Sequence, residues 1–375
     1  MLIPIGYDLV RNDNTFFYDS SKHGLILGKS GVGKSTLLFN VLVAQMRAGS
    51  GFTLLDPHGD LVDQLLDYVP LDRIDDVIFD PKDEKRIGLN LLDSKDQELA
   101  LDTLITIIKA VWPDGWGPQS DFIAWNLGRA IMETVKRPTA LQIFKILFNK
   151  NYRAKVRRQV TDHVVLEFLK TFDDDWDNRQ REAATAPLMN KVGKFAGPML
   201  RSIVGQQDGL KLADIMDGKK ILLCRLSKGA LGADISSLLG SMIVALIQHA
   251  ALERESLPPH KRMPHLLVAD EVHTFTKGVP LDVILSEARK YNLIVFFLEL
   301  FQLPNLVHFK PGVLLLPAIK SLLSDPHPPD QLRHRQPHLR LLDDGRNLLH
   351  RKPLALHSAQ SSCFGFCRKL TLKPY

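Results

Sequence analysis

Residues 23–38 of the sequence read HGLILGKSGVGKSTLL. The first five letters form an apolar run of strand length, and the segment from residue 34 onward has the apolar spacing of a helix. Between them, Gly28 to Ser35 follow the pattern G-x-x-x-x-G-K-[ST]. Glycines let the backbone curl so that successive N–H groups point at one anion, and a helix N-terminus adds a positive dipole. The alternative is a glycine-rich turn that binds nothing, but strand, loop and helix together favour a phosphate-binding loop.

The chemistry of a bound triphosphate predicts a role for each part of this loop. Lys34 supplies a positive charge for the β- and γ-phosphates, and the hydroxyl of Ser35 can ligate Mg²⁺. The residues expected to surround the nucleotide are Gly28, Lys29, Ser30, Gly31, Val32, Gly33, Lys34, Ser35 and Thr36.

A second acidic motif completes the predicted site. The apolar run HLLVA at residues 265–269 is followed directly by Asp270 and Glu271. We expect Asp270 to hold Mg²⁺ and Glu271 to orient and polarise the attacking water. An acidic pair after a strand is a weak signal alone. Paired with the phosphate-binding loop, it favours ATP hydrolysis of the RecA-like kind over a GTPase switch or a small-molecule kinase.

Strand and helix patterns alternate along much of the chain, which predicts an α/β protein with a mostly parallel sheet covered on both faces. The predicted strands after the loop are residues 51–56, 76–79, 220–225, 265–269 and 293–298. From residue 96 to 217 only helical periods occur. We therefore expect an α/β core formed by residues 1–95 and 218–300, with residues 1–22 as a lead-in, an all-helical insertion at 96–217, and an irregular basic tail at 301–375.

Composition narrows the class of protein. Hydrophobic residues make up 45% of the chain and charged residues 24%, which is ordinary for a globular protein. Three cysteines are too few for a disulfide framework and suit a reducing compartment. The longest apolar stretch, residues 236–252, contains Gln248 and His249, so we expect a buried helix there. No secretory signal pattern begins the sequence. These features predict a cytoplasmic protein.

The net charge of +6 originates in the tail. Residues 301–375 carry eleven Lys and Arg against four Asp and Glu, whereas residues 1–300 carry 37 against 38. Overall basicity therefore gives no argument for DNA binding by the first 300 residues. One basic run, RAKVRR at residues 153–158, has two interpretations. A solvated helix face is the favoured one, and contact with a nucleic-acid backbone is the other.

Further motifs lie in order along the chain: LILGKSGVGKSTLL at 25–38, LLDPHGDLVD at 54–63, DDVIFDPKDEKRIGLNLLD at 75–93, APLMNKVGKF at 186–195, LRSIVGQ at 200–206, KILLCRLSKGALGADISSLLGS at 220–241, LLVADEVHTF at 266–275 and ILSEARKYNL at 284–293. This series resembles the conjugative DNA-transfer and type IV secretion ATPases, the coupling-protein branch of the HerA–FtsK superfamily.

The resemblance implies a RecA-like motor subunit that binds ATP and Mg²⁺, assembles as a homo-oligomer, usually a hexameric ring, and moves single-stranded or duplex DNA. It implies docking at membrane secretion components, so a peripheral position at the inner membrane is expected. Asp56 and His58 match the family's acidic strand end, close to the nucleotide. Arg201 matches a motif that makes it a candidate for the arginine that acts on a neighbouring subunit's nucleotide, with a structural surface arginine as the alternative.

Two departures from the family pattern limit these expectations. Residues 116–119 read WGPQ where the family has W-G-P-R, and family-like sequence stops near residue 294, before an expected Gln-bearing sensor segment. A frame-shifted translation is the favoured interpretation of the tail, and a basic disordered arm is the other. Three other functions stay open: a motor for protein secretion, a motor for genome packaging, and a truncated remnant that binds nucleotide without driving transport.

Overall fold

The computed structural model describes residues 2–7, 15–28, 31–73, 77–300 and 314–316. In chain order its strands are Leu2–Tyr7 (β1), Thr15–Asp19 (β2), Gly24–Gly28 (β3), Gly51–Asp56 (β4), Val77–Phe79 (β5), Ile221–Arg225 (β6), His265–Ala269 (β7), Leu293–Leu300 (β8) and Leu314–Leu316 (β9). Strands β3 to β9 form one sheet in the order β5-β6-β4-β7-β8-β3-β9. Every neighbouring pair is parallel except β3 and β9. The predicted α/β fold with a mostly parallel sheet is confirmed.

Helices cover both faces of this sheet. They are Lys34–Arg47 (α1), Asp60–Leu66 (α2), Gln97–Val111 (α3), Pro118–Thr134 (α4), Ala140–Phe148 (α5), Lys150–Arg157 (α6), His163–Lys170 (α7), Asn178–Phe195 (α8), Pro198–Val204 (α9), Leu212–Asp217 (α10), Lys228–Leu231 (α11), Ala233–Glu253 (α12) and Leu281–Glu287 (α13). Neighbouring residues of β7 face opposite sides, since Val268 packs in one apolar cluster with Leu42 of α1 and Leu267 in another with Met242 of α12. Burial on both faces explains why the strands read as continuous apolar runs.

The apolar stretch at 236–252 lies in α12. Within the described ranges, residues 233–256 form one helix long and apolar enough to cross a membrane, with a mean hydropathy of 1.7 over the most apolar window. However, 83% of that window is buried inside the protein. The predicted buried helix is therefore confirmed, and α12 packs as a core helix.

Between β5 and β6 the described residues form the helices α3 to α10 and one isolated β-bridge, between Gly88 and Gly209. Local signals set the helix starts. The side chain of Asp96 accepts a hydrogen bond from the backbone of Leu99 at the start of α3, and Pro118 is the first residue of α4. One continuous apolar cluster includes residues of both α3 and α12. The boundaries expected at 95/96 and 217/218 stay a prediction.

Within the basic run at 153–158, Arg153 fits neither a solvated helix face nor contact with a nucleic-acid backbone. This side chain in α6 is buried, and its guanidinium donates to the carboxylate of Asp173 at 2.7 Å and to the carbonyl oxygens of Ile146 and Leu147. It also lies 4.9 Å from the ring centroid of Phe172. A solvated face is present only at the exposed members of the run, such as Lys155. Arg153 thus fastens α6 to the segment that follows α7.

Residues 1–22 are more than the expected lead-in, because β1 and β2 form an antiparallel hairpin. The register shifts between Pro4 and Gly6, residue types that weaken a strand signal in sequence. Ile3 and Tyr18 are buried, and the Tyr18 ring meets Phe296 of β8 edge-on, with centroids 4.7 Å apart. The hairpin therefore packs on the sheet.

Three residues of the expected irregular tail form β9, which pairs antiparallel with β3. The remainder of 301–375 lies outside the described residues, so neither interpretation of the tail is tested by the structure.

Candidate nucleotide-binding and catalytic site

The loop between β3 and α1 has the backbone that its glycines predict. Gly31 and Gly33 have φ angles of 76° and 93°, in the left-handed region that glycine adopts without penalty. A Cβ atom on Gly31 would meet nothing within 4 Å, so the requirement there is conformational rather than steric. Lys29 and Ser30 lie outside the described residues. The described part of the loop turns sharply into the first turn of α1.

The N-terminus of α1 is open to a ligand. No side chain caps the helix, and its first turn contains no acidic residue. Ser35 and Thr36, in that turn, are exposed, and Val32 is partly exposed. The N–H groups at a helix start have no partner within the helix, and they attract anions together with the helix dipole. This end of α1 can therefore hold phosphate groups, with the Ser35 hydroxyl available to a cation.

Lys34 is 91% buried at the start of α1, with a relative exposure of 9%, and its Nζ donates to the carbonyl oxygen of Gly28 at 2.9 Å. Burial lowers the pKa of Lys34, and the negative charges of Asp270, Glu271 and Glu299 oppose that change. Lys34 therefore shares one electrostatic environment with the predicted acidic pair, although 236 positions separate Lys34 from Asp270 in the chain.

Strand order explains this proximity. Strand β8 lies between β3 and β7, so one strand separates the phosphate-binding loop from the acidic pair. Ala269 pairs with Phe297 and Leu27 pairs with Glu299. Since these strands are parallel, their carboxyl ends meet at one edge of the sheet, which is where α/β proteins bind ligands.

Asp270 lies in an acidic environment. Burial raises the pKa of Asp270, and the carboxylates of Asp56 and Glu271 raise it further. The backbone N–H of Asp270 donates to the carbonyl oxygen of Leu55 at 3.2 Å, which fixes the strand end. A cation next to Asp270 would offset this repulsion, and oxygen ligands are those that Mg²⁺ prefers.

Glu271 is held on both carboxylate oxygens. Its Oε2 lies 2.6 Å from Nζ of Lys228, and its Oε1 lies 3.3 Å from Nε2 of His58. Burial raises the pKa of Glu271, but contacts with Lys228 and His58 outweigh it, so the net change lowers the pKa. The backbone of Glu271 has φ 50° and ψ 61°, a left-handed conformation that costs a non-glycine residue about 1 kcal/mol.

Asp56 has a structural task that the sequence did not predict. Its buried carboxylate accepts hydrogen bonds from the backbone N–H groups of His58, Leu61 and Val62 at 2.9–3.0 Å. These bonds hold the turn between β4 and α2. The predicted contact of Asp56 with nucleotide stays a prediction, and so does that of His58, whose ring is exposed beside Glu271.

Arg201 is exposed on α9, outside the cluster formed by Lys34, Asp270 and Glu271. Within the described ranges its side chain forms no hydrogen bond or ion pair. A role within its own subunit's site therefore has no structural support, while the predicted role toward a neighbouring subunit stays open.

Two residues of the site were missed in sequence. Lys228 follows β6 within the motif LSKGALG, where a lysine gives no signal of its target. Glu299 lies at the end of β8, and its Oε1 is 2.8 Å from Nδ1 of His273. Glu299 gives no signal in sequence, because only the order of the strands brings it near Lys34.

The fold is similar to that of solved conjugation proteins. The bacterial conjugative coupling protein TrwBdeltaN70 in its unbound form matches with a TM-score of 0.52 and 20% sequence identity, over 75% of this chain and 63% of that chain. The plasmid coupling protein TrwB in complex with the ATP analogue ADPNP matches with a TM-score of 0.51, and TrwB in complex with ADP and Mg²⁺ with 0.50. Both complexes are 18% identical, over 75% of this chain and 64% of those chains.

At these identities the similarity establishes the fold, and the chain spans less than two thirds of the TrwB chains. No protein-family model matches the sequence, and no curated protein matches it.

Proposed function

We propose that this chain is an ATP-hydrolysing motor subunit of a conjugative transfer or type IV secretion system, with DNA as the transported substrate. One observation carries the proposal. The loop after β3 supplies Lys34, the strand end after β7 supplies Asp270 and Glu271, and one strand lies between them. This arrangement suits phosphoryl transfer, which needs positioning and charge neutralisation more than covalent chemistry.

The residues present fit ATP and Mg²⁺. The uncapped start of α1 with the left-handed glycines Gly31 and Gly33 fits the phosphates, and the acidic strand end fits a cation. Ser35 and Asp270 would hold Mg²⁺ directly or through water. When bound, the ion neutralises charge on the phosphate oxygens. TrwB, which shares the fold, is described in complex with ADPNP and with ADP and Mg²⁺.

The chain's own groups then divide the remaining work. The ammonium of Lys34 stabilises negative charge on the terminal phosphates, and the carboxylate of Glu271 orients a water and accepts its proton. Arg201 of one subunit would contact the terminal phosphate bound to the next, which requires a homo-oligomer, with a hexameric ring as the expected form. We also propose that the helical insertion begins at residue 96 and ends at residue 217.

DNA as substrate rests on the motif series and on the shared fold with conjugative coupling proteins. The proposed location is the cytoplasmic face of the inner membrane, docked to secretion components. Protein secretion and genome packaging would use the same nucleotide site, so the choice of polymer added to the assay separates them.

The test is ATP turnover by purified protein with and without single-stranded or duplex DNA, with Lys34→Ala as the matched control. We expect turnover above that of the control and an increase when DNA is added. Turnover equal to that of the control under all conditions would contradict the proposed ATPase activity. Turnover that increases with an unfolded protein but with neither form of DNA would contradict DNA as the transported substrate.

A second candidate function is nucleotide binding without turnover. The observation that favours it is Glu299, whose negative charge acts on Lys34 at the end of β8. A carboxylate there opposes the approach of phosphate groups. Binding of an ATP analogue, combined with turnover equal to that of the Lys34→Ala protein, would support this candidate.

A further inference from the structure

Both partners of the Glu271 carboxylate come from the side of β7 that lies away from the strand of the phosphate-binding loop. These two partners, His58 and Lys228, follow β4 and β6 respectively. In the sheet order β6-β4-β7-β8-β3, these strands lie on one side of β7, and the strand of the phosphate-binding loop lies on the other. A glutamate that activates water at the terminal phosphate must reach toward β3. The contacts of Glu271 draw its carboxylate the opposite way.

From this geometry we infer that Lys228 is a positioning residue that restrains Glu271, and that the first turn of α12 sets the position of Lys228. The inference rests on the proposed ATPase function, and it adds a way to regulate it. Glu271 becomes available for catalysis when the Lys228–Glu271 ion pair opens. Turnover is then low until the helical segment between β5 and β6 moves α12.

The Lys228–Glu271 ion pair can restrain Glu271 because it is partly shielded from solvent. The side chain of Lys228 is 28% exposed and that of Glu271 is 17% exposed, whereas an ordinary surface pair such as Lys290–Glu287 is 63% and 40% exposed. A partly buried pair with an N–O distance of 2.6 Å is screened less by salt and holds its geometry better than a surface pair.

The backbone that carries Lys228 is also fixed. The backbone N–H of Lys228 donates to the carbonyl oxygen of Pro57, and the backbone N–H of Leu226 donates to the carbonyl oxygen of Asp56, both at 2.9 Å. These two bonds connect the carboxyl ends of β4 and β6, so His58 and Lys228 are held together beside Glu271.

The first turn of α12 contacts both sides of this ion pair. The hydroxyl of Ser236 donates to the carbonyl oxygen of Leu226, two residues before Lys228, at 2.6 Å. The hydroxyl of Ser237 donates to the backbone carbonyl oxygen of Thr274, three residues after Glu271, at 2.6 Å. A shift of this turn therefore changes the relative position of Lys228 and Glu271.

The same turn is tied to the helical segment through Asp234. Its Oδ2 accepts hydrogen bonds from Nε1 of Trp112 at 2.7 Å and from Nζ of Lys194 at 2.9 Å. Lys194 and Asp234 are both partly exposed, so a polymer that contacts the helical segment can reach this connection. The chain Trp112–Asp234–α12–Lys228–Glu271 is a continuous set of contacts, and coupling along it requires an energetic test.

The main test compares turnover of wild type, Lys228→Met and Lys228→Arg without DNA. We expect Lys228→Met to raise basal kcat by at least about fivefold, the lower end of typical coupling between sites, and to lose most of the stimulation by DNA. KM for ATP should stay within about twofold, because Lys228 contacts no residue assigned to phosphate binding. Lys228→Arg keeps the charge and should behave as wild type. A basal kcat in Lys228→Met that is equal to or below wild type would overturn the restraint.

Two further variants complete the test. Lys228→Met combined with Glu271→Gln should be as inactive as Glu271→Gln alone, and a double variant that kept the raised turnover would show that the gain does not pass through Glu271. Asp234→Ala should also raise basal kcat. Unchanged basal kcat and unchanged DNA stimulation in Asp234→Ala would overturn the part assigned to α12.

Failure of the inference can be told apart from failure of the proposed function. If wild type shows no turnover above Lys34→Ala, the ATPase proposal fails. The ion pair is then tested by a double-mutant cycle of thermal unfolding with Lys228→Met and Glu271→Gln. Non-additive shifts in Tm would support the restraint of Glu271 in the folded chain, and additive shifts would overturn it.

Discussion

The ammonium of Lys34 folds back onto the strand that precedes its loop, donating a hydrogen bond to the carbonyl oxygen of Gly28 at 2.9 Å. The bond closes the two ends of the loop on each other and places a buried positive charge beside the start of α1. A buried charge is unfavourable without compensation, which here comes from this carbonyl and from the nearby carboxylates.

Replacing Lys34 with alanine should therefore affect binding far more than stability. We expect Lys34→Ala to weaken nucleotide binding by about two orders of magnitude, in line with the loss of one partner from a buried, hydrogen-bonded charge pair. Thermal unfolding provides the measurement. At an ATP-analogue concentration of about 100 times the wild-type Kd, wild type should gain about 2.7 kcal/mol, and the variant should gain only about 0.4 kcal/mol. An equal shift in both proteins would contradict the assignment.

Glu271→Gln should keep nucleotide binding and lose turnover, because the amide has the shape of the carboxylate but cannot accept a proton. A loss of kcat of about 10²–10⁴-fold is expected for a general base. Binding of a fluorescent ATP analogue and steady-state turnover, measured on one preparation, separate the two properties. Asp270→Asn is the comparison, since it should weaken the response to Mg²⁺ as well.

A mixing experiment tests Arg201. If this exposed arginine acts on a neighbour's nucleotide, Arg201→Ala and Lys34→Ala should each be inactive alone, but their mixture should regain part of the turnover. In mixed oligomers, a Lys34→Ala subunit offers its intact Arg201 to a neighbour whose loop is intact. If a mixture that is shown to exchange subunits recovers no turnover, Arg201 does not act on a neighbour's nucleotide, and the alternative of a structural surface arginine is supported.

Removing Arg153 should destabilise the protein without changing binding to nucleic acid. Loss of one partner from a buried ion pair leaves Asp173 uncompensated, which typically costs about 3–5 kcal/mol. Lys155→Ala, on the exposed side of the same helix, should stay within about 0.5 kcal/mol of wild type. Chemical denaturation of both variants makes the comparison. Similar stability of the two would refute the buried role of Arg153.

His265 predicts a pH dependence of stability. Its ring is buried at the start of β7, with Nε2 2.9 Å from the hydroxyl of Thr53. Burial, assisted by the charge of Arg254, lowers its pKa from 6.5 to about 3. Between these two pKa values the unfolded chain binds a proton that the folded chain does not, so stability falls as pH falls below 6.5.

At pH 5, the protonation difference at His265 should lower the free energy of unfolding by about 2 kcal/mol. It is measured as the difference in pH dependence between wild type and His265→Leu, from pH 7.5 to 5. The leucine variant should have the flatter profile. Parallel profiles would show that His265 titrates normally in the folded protein.

The sequence predicted elements whose signal is local. Strand β4 was predicted at its exact bounds because a run of buried apolar residues ends at a Pro-containing turn, and α1 follows directly from the loop motif. The hairpin β1–β2 was missed because its first strand contains Pro4 and Gly6, which weaken a strand pattern. Arg153 was misread because its burial depends on Asp173 and Phe172, which are distant in sequence.

In the candidate site, too, the residues with a local sequence signal were predicted and those that depend on distant parts of the chain were not. Lys34, Asp270 and Glu271 stand in motifs whose chemistry is readable from residue type and spacing. Lys228 and Glu299 have no such signal, because their importance arises from the order β6-β4-β7-β8-β3. Sheet order is a long-range property, set by how strands from distant parts of the chain pack together. It determines which neighbours Glu271 acquires.

Strand β9 has a consequence for the solubility of shortened versions of this chain. By pairing with β3, it converts the strand that carries the phosphate-binding loop from an edge strand into an interior one. A chain cut before Leu314 would remove the partner of residues 25–27 along one side of β3. Open strand edges recruit other strands and promote aggregation. The three residues of β9 thus protect the strand that leads into the phosphate-binding loop from self-association.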